Sequence, residues 1–395
     1  MKVVLAFSGG LDTCYCSKYL SKKLGHEVFA VTVNTGGFDT TEKEELEKKA
    51  LNLGVISYIF IDKTEEFYQN GIRFLLFGNV LKNNTYPLSV SAERVFQAVA
   101  VAQYAKSIQA DAIAHGSTGA GNDQIRFDMI FQSICPDMEI ITPIRDQSLS
   151  RETEIEFLKN EGVSNDWEKA EYSINRGLWG TSVGGKETLT SNEYLPEAAF
   201  PKQLENTGEE KIAIGFEKGE PISLNGESGS SVEIIKAIEK LGSAYALGRD
   251  IHVGDTIVGI KGRVGFEAAA ALILIKAHHA LEKHVLSKHQ LFIKDQLSDW
   301  YGSLMHEGQY LDPAMRDIEG FLESSQKTVS GTVEVQLAPY RFHVIGVTST
   351  NDLMQSSYGQ YGEMNTKWTG QDARGFAKIF STQTKIFNAV HDGKN

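Results

Sequence analysis

A short apolar strand runs straight into Ser8-Gly9-Gly10-Leu11-Asp12-Thr13, and this junction limits what the chain can fold into. Val3 to Phe7 reads as a buried strand, and a helical pattern opens at about Leu11. A glycine pair between them lets the backbone approach a ligand closely, with its N–H groups turned outward. The first turn of the helix adds unpaired N–H groups and the positive end of its dipole. Together they make an anion site, most often for phosphate. It is not a Walker A loop, because no Gly-Lys-Ser/Thr follows, and the G-x-G-x-x-G dinucleotide fingerprint is absent. Without a lysine, charge must be neutralised by backbone dipoles and a metal ion. A strand-to-helix turn without a ligand is the alternative, and the flanking Ser8, Asp12 and Thr13 favour a nucleotide. Asp12 is the candidate for orienting metal or ATP, with capping of its own helix as the competing role.

The rest of the composition narrows the class. A chain of 395 residues exceeds one ordinary core and argues for two domains. A formal net charge of −12 speaks against a polyanion such as tRNA as partner, so no nucleic acid is expected. Three cysteines give no disulfide framework and suit a reducing cytoplasm. Cys14 and Cys16 are two apart on a helix and do not share a face, which disfavours a metal or redox role. The longest apolar run, Ala268–Ile275, is far shorter than the roughly 20 residues a bilayer needs, so no membrane is expected. Ser8-Gly9-Gly10 interrupts any signal-peptide core. The expectation is a cytoplasmic enzyme.

Along the chain, strands and helices first alternate. Val28–Val33 and Ile56–Ile61 read as strands, and Thr41-Glu42-Lys43-Glu44 as a capping box that opens a helix to about Leu53. A helix from about Ser91 to Ile108 buries Val95, Val99 and Ala102, and Ala112–Ala114 is a strand ending at His115. This order predicts an α/β fold with a parallel sheet, whose ligands sit at the carboxyl ends of strands. Ser8 and His115 both follow strands, so their loops are expected to face one site. After about Asn165 the pattern becomes α+β: a hairpin across Glu217 to Glu220, a helix Val232–Leu241, a strand Ile257–Lys261, a long helix Glu267–Leu286 and two strands in Thr328–Val347. Asp372–Val390 is helical with Phe376, Ile379, Phe380, Ile386 and Phe387 on one side, an apolar arm expected to dock on a neighbouring subunit. The predicted division is 1–165, 166–365 and 366–395. His278, His279, His284 and His289 lack H-x-x-x-H spacing, since steps of five are about 140° apart on a helix, and are expected on a polar face. Trp179 is read as packing.

The second dense cluster is His115-Gly116-Ser117-Thr118-Gly119-Ala120-Gly121-Asn122-Asp123-Gln124-Ile125-Arg126-Phe127. Three glycines bend a loop so that its amides face inward, and Asn122, Asp123 and Arg126 supply an amide, a carboxylate and a guanidinium. Arg holds a carboxylate bidentately and Asp holds an ammonium, so the set suits amino acids. A capping loop with a surface ion pair is the alternative. The first motif resembles the pyrophosphate loop of ATP pyrophosphatases. With the second cluster, the chain resembles the argininosuccinate synthase family along most of its length. Tyr86 to Arg94, Glu171 to Ile174, Leu178 to Ser182, Gly259 to Arg263, Gln326 to Val333 and Gly375-Phe376 support the resemblance.

The resemblance implies a parallel-sheet nucleotide-binding domain, an α+β synthetase domain and a C-terminal helical arm in a homotetramer. It implies ATP as substrate with Mg²⁺. Ala6, Phe7, Ser8, Gly9, Gly10, Leu11, Asp12, Thr13 and Cys14 would line the phosphates, with Val33 near the adenine and Gly116 near the nucleotide. Thr118, Asn122 and Asp123 would bind aspartate, and Tyr86, Ser91, Asn122, Arg126, Ser173 and Ser182 would bind citrulline. Asp12, Asp123 and Arg126 are the candidates for the catalytic centre. In the family's reaction the ureido oxygen of citrulline attacks the α-phosphorus of ATP and releases pyrophosphate. The aspartate amine then displaces AMP from citrullyl-AMP. No general base is evident, and alignment of the reactants supplies much of the rate.

Several positions depart from the family pattern. Ala120 stands where a Lys is usual, Gly37 where a Gln is common, and Asn175 in place of an acid. Gly254 falls at a citrulline-binding Glu, and Phe266 at a citrulline-binding Tyr. Loss of a carboxylate paired with an ammonium removes about 1.5–3 kcal/mol. One reading is an acceptor citrulline whose α-amine is acylated, by acetyl or succinyl; the other is that Asp255 replaces the Glu. GMP, NAD, asparagine and tRNA-modifying synthetases share the first loop but do not predict the Asn122–Arg126 cluster. A non-catalytic nucleotide or amino-acid sensor is the reading from another class.

Overall fold

The computed structural model describes residues 1–163, 172–364 and 366–392. Glu171, part of one segment carrying the resemblance, and the expected boundary at 165/166 lie outside the described residues, as does residue 365 at the second boundary.

The first part of the chain builds a parallel sheet from β1 Lys2–Ala6, β2 Glu27–Asn34, β3 Ser57–Asp62, β4 Ala112–Ala114 and β5 Glu139–Ile141. Its order is β3-β2-β1-β4-β5. Val3, Val4 and Leu5 are fully buried because helices cover both faces of the sheet, which is why β1 reads as an unbroken apolar run. Connectivity reverses between β1 and β4, so the loops after these two strands open on one crevice. Sequence alternation predicted this parallel α/β arrangement.

Among the described residues nine further strands follow: β6 Ser173–Gly177, β7 Gly180–Gly184, β8 Glu210–Glu217, β9 Glu220–Leu224, β10 Glu227–Ser228, β11 Arg249–Asp255, β12 Lys261–Glu267, β13 Gly331–Ala338 and β14 Arg341–Thr348. They form two sheets, β10-β9-β8-β13-β14 and β11-β12-β7-β6. The second lies beside the crevice. The hairpin at Glu217–Glu220 and the paired strands after Thr328 match the sequence reading.

Three local readings are corrected. Ile257 to Ile260 is not a strand but the turn between β11 and β12, which begins at Lys261. Thr256 N–H bonds to the Ile260 carbonyl at 2.7 Å, and Gly259 N–H to that of Thr256 at 2.8 Å. The cap of the helix Thr40–Asn52 is Asp39, whose carboxylate accepts from Glu42 N–H while Glu42 returns the bond to Asp39 N–H. Of the four histidines, His289 is exposed and His279 and His284 are half-buried, and the one that leaves the polar face is His278. His278 is fully buried, with Nδ1 2.7 Å from Asn79 Oδ1 and Nε2 2.9 Å from Gln326 Oε1. Trp179 is buried in the core as expected, and its indole N–H donates to the Pro87 carbonyl at 3.0 Å.

The C-terminal arm is two helices, Gly370–Phe380 and Thr382–Asp392, divided at Ser381 rather than one continuous helix. Phe376 and Phe380 stack on each other, and Phe376, Ile379, Phe380, Ile386 and Phe387 are all exposed.

Beneath His278 lies a fully buried ion pair, Lys294 Nζ to Glu282 Oε2 at 3.0 Å. Burial opposes ionisation of Glu282, but His278, Lys294 and the bonds from Gln326 and Asn79 win and hold its carboxyl low. Removing one partner strands a buried charge. Lys294→Ala is expected to cost about 3–5 kcal/mol, read as a lowered urea midpoint with an unchanged slope.

Candidate active site

The loop after β1 is held by its own hydroxyls, and Ser8 N–H donates to Thr13 Oγ1 at 3.4 Å. Gly9 has φ +73°, and a Cβ there would collide with the Leu46 side chain, so only glycine fits. Ser8 Oγ lies 3.2 Å from Thr13 Oγ1 and accepts from Gly10 N–H at 3.4 Å, while Thr13 Oγ1 donates to the Gly10 carbonyl at 3.2 Å. The helix Leu11–Lys18 begins without a side-chain cap. Its first-turn amides open on a cavity of about 760 Å³. Ala6, Phe7, Ser8, Gly10, Leu11, Asp12 and Thr13 line that cavity on one side.

Two expected loop positions do not line it. Gly9 turns its carbonyl to Lys49 Nζ (2.7 Å). Cys14 is buried beneath the loop with its thiol pointing at that same carbonyl, and burial pushes the thiol up to about 12. Both residues shape the loop from behind.

The loop after β4 packs directly on the first. A Cβ at Gly116 would sit 3.1 Å from the Asp12 backbone, so glycine here allows the two loops to touch. His115 is buried. Its Nδ1 accepts from Ser117 N–H at 3.2 Å, which places the ring proton on Nε2, 2.9 Å from Asp128 Oδ1. Beside the loops, Asp12 and Glu154 share a hydrogen bond. Burial raises both carboxyls, and the neighbouring Asp12 helps to push Glu154 to about 8.

Val33, Gly116, Thr118, Asn122, Asp123 and Arg126 all line the cavity, as do Tyr86, Ser91, Ser173 and Ser182. Asp123 is clamped between Arg94 Nε (3.1 Å) and Arg126 Nη1 (2.8 Å). Burial would raise its carboxyl, but the two guanidinium groups prevail and hold it low. Asn122 Oδ1 accepts from Ile257 N–H at 2.8 Å, so the β11–β12 turn is fastened to the second loop.

The departures have structural partners. Asn175 accepts from Arg94 Nη2 at 2.8 Å and reaches Ser182 Oγ at 3.5 Å. Gly37 admits no side chain, because its Cβ would strike the Arg176 carbonyl. Ala120 is exposed on the second loop. Gly254 lines the cavity, whereas Phe266 does not. Phe266 is fully buried behind Tyr86, ring centroids 5.4 Å apart, so its expected place among the acceptor contacts is corrected. Asp255 pairs with Lys261 on the rim at 2.5 Å.

Glu93, His252 and His306 also line the cavity, and the sequence reading gave none of them a role. His306 ends the helix Lys288–His306; its Nδ1 lies 3.1 Å from Ser91 Oγ, and its carbonyl accepts from Arg126 Nε at 2.9 Å. Burial, then Arg126, depress its ring to about 3, so it is neutral. Glu93 accepts from the Thr35 hydroxyl and from Gln97 Nε2 at 3.3 Å, and its Oε2 makes no hydrogen bond. Gly177 closes over the carboxyl, since a Cβ there would be 2.7 Å from Oε2.

Burial pushes Glu93 up to about 7 from 4.5, against Arg94 and Thr35. A carboxyl raised on folding holds its proton longer in the native state. That contribution to stability is complete below about pH 4.5 and is lost as pH rises through about 7. Glu93→Gln keeps the shape and removes the titration. Relative to the parent chain it is expected to gain on the order of 1–3 kcal/mol at pH 8.5 and almost nothing at pH 5, measured by denaturant melts.

Comparison with known proteins accounts for the whole arrangement. Residues 2–164 match the family described as arginosuccinate synthase N-terminal HUP domain, and residues 172–387 match the arginosuccinate synthase C-terminal domain. The argininosuccinate synthase of Dictyoglomus turgidum is 37% identical over 100% of this chain and 99% of its own length. That of Methanocaldococcus jannaschii is 37% identical over 97% of both chains. That of Pyrococcus furiosus is 36% identical over 99% of this chain and 95% of its own.

Proposed function

The chain belongs to the argininosuccinate synthase family, and from that premise we propose how its residues divide the work. It is a ligase that uses ATP to join citrulline and aspartate into argininosuccinate, a step of arginine biosynthesis. In our reading the ATP phosphates lie along Ser8 and Gly10 to Thr13, with adenine near Val33 and ribose near Gly116. Arg126 and Ser91 hold the citrulline carboxylate, and Tyr86, Ser173 and Ser182 align its side chain. Thr118 and Asn122 take the carboxylates of aspartate, and Asp123, kept ionised by its arginines, takes the ammonium.

The ureido oxygen then attacks the α-phosphorus, and pyrophosphate departs towards amides already oriented to receive its charge. The aspartate nitrogen next attacks the ureido carbon, and AMP carries away the bonding pair. Holding both amino acids against one nucleotide removes most of the orientational cost. The observation that carries this reading is that both motif loops and the β11-β12-β7-β6 sheet line a single cavity.

Mg²⁺ fits the same corner by the chemistry of the donors. Glu154 is buried and does not line the cavity, whereas Asp12 does and would be a hard oxygen ligand beside the phosphate loop; Mg²⁺ is commonly held by one or two carboxylates together with phosphates. When bound it would neutralise charge on the leaving pyrophosphate. The three cysteines are free and buried, which supports a reducing cytoplasm as the location.

Asp123→Asn retains the shape but loses the charge. It is expected to raise the KM for aspartate about 10–100-fold, from the loss of a charge-assisted hydrogen bond. Pyrophosphate exchange that depends on citrulline should survive. Steady-state AMP release and isotope exchange check the two halves separately.

We further propose a homotetramer assembled through the C-terminal arm. The apolar face across Phe376, Ile379 and Phe380 favours burial against a neighbour. The double variant Phe376→Asp, Phe380→Asp is expected to shift the mass to a smaller species in light scattering. An unchanged mass would remove the arm from the assembly.

A further inference from the structure

The acceptor end of the cavity is marked by its chemistry. Arg126, Ser91 and the His306 ring converge there as a carboxylate site. His252 from β11 completes the wall. Its ring stacks on Tyr86 with centroids 5.2 Å apart and 27° between planes. The residue is 5% exposed, and Nδ1 makes no hydrogen bond. Its Nε2 lies 2.5 Å from where a Cβ at Gly254 would stand, so the imidazole occupies the space that a side chain at 254 would enter.

The charges at this end are the wrong sign for an ammonium. Arg94, Arg126 and, behind His252, Lys82 are cationic. Asp123 is assigned above to the ammonium of aspartate, Glu93 Oε2 is sealed beneath Gly177, and Asp255 is paired with Lys261. Among the described residues of this wall, no carboxylate is left to pair with the α-nitrogen of a bound amino acid. Burial, then Lys82, lower the His252 ring, and His306 is neutral as well.

The floor beside His252 has no side chains. Gly254 and Gly262 are register partners across β11 and β12, and both line the cavity. A Cβ at Gly262 would meet nothing nearer than Thr256 Cγ2 at 3.8 Å. There is room for a small group attached to the α-nitrogen.

We propose that His252 is the specificity-determining residue at this end, and that beside citrulline the chain turns over citrulline whose α-amine is capped as an amide. The imidazole offers hydrogen bonds to the amide without a negative charge, and the acyl group lies over Gly254 and Gly262. The bonds made and broken are those of the citrulline reaction: oxygen to phosphorus with loss of pyrophosphate, then nitrogen to carbon with loss of AMP. The acyl group takes no part. The proposal rests on the ligase reading above.

The test is AMP release and product mass with ATP, aspartate and either citrulline or N-acetylcitrulline. The expected kcat/KM for N-acetylcitrulline is within about tenfold of that for citrulline, or above it. AMP from citrulline alone would overturn the proposal while leaving the ligase reading intact; AMP from neither would overturn both. His252→Glu is expected to shift the preference at least about tenfold towards free citrulline, and His252→Gln to restore the parent ratio. Gly262→Val, at an open position, should lower kcat/KM for N-acetylcitrulline at least about tenfold more than for citrulline. If the ratio is unmoved in both His252→Glu and Gly262→Val, the assignment of this wall is wrong.

Discussion

Asp123 held between Arg94 and Arg126 is the interaction on which the rest of the site depends. It joins the helix Ser89–Ser107 to the helix Asp123–Ile134. Arg94 continues to Asn175 on β6, and Arg126 to the carbonyl of His306, so four segments distant in sequence are tied to one carboxylate. Arg126 is buried and Arg94 half-buried, while the Asp123 side chain is 37% exposed to the cavity, and the value of the clamp lies in fixing geometry. Two cations on one anion also leave the region locally positive, which suits a cavity that must gather triphosphate and carboxylates although the chain carries a net charge of −12.

Carboxyls around the cavity are sorted by their neighbours. Asp123, beside two guanidinium groups, stays ionised, whereas Glu93, enclosed by Thr35 and the Gly177 backbone, is pushed up to about 7. Asp12 and Glu154 lie together and resist simultaneous ionisation. The same residue type thus supplies a permanent charge, an enclosed carboxyl that titrates near neutrality and a pair that shares its charge.

What could be read from the sequence follows the range of the forces involved. The loop after β1 is local: glycine conformation, helix dipole and hydroxyl placement all lie within Ser8 to Thr13, so the strand–loop–helix junction was legible, whereas the turn of the Gly9 carbonyl to Lys49, 40 positions away, was not. That the sheet is parallel followed from alternation; its order did not. His252, His306 and Glu93 escaped because their roles arise from partners 58 to 215 positions away, such as Thr35 for Glu93 and Ser91 for His306. Ile257 to Ile260 misled because an apolar run suggested a strand, yet Val258 and Ile260 are exposed on a turn that Asn122 fastens. The burial of His278 was hidden too, since helical spacing alone does not reveal which face meets Asn79 and Gln326.

Much of the site is specified by side chains that are absent. At Gly37 and Gly177 any Cβ would meet Arg176 or Glu93, so these glycines let the loop after β2 and the β6–β7 turn close on each other and seal the Glu93 carboxyl. At Gly254 and Gly262 the missing side chains act in the opposite sense and leave room: one for the His252 imidazole, the other for ligand. A substitution at the first pair would be felt as packing, because rigid backbone stands in the way. A substitution at the second pair would be felt as selectivity, because the cavity itself changes shape. Glycine is therefore closing the domains on each other at one edge of the β11-β12-β7-β6 sheet and holding the acceptor end open at the other.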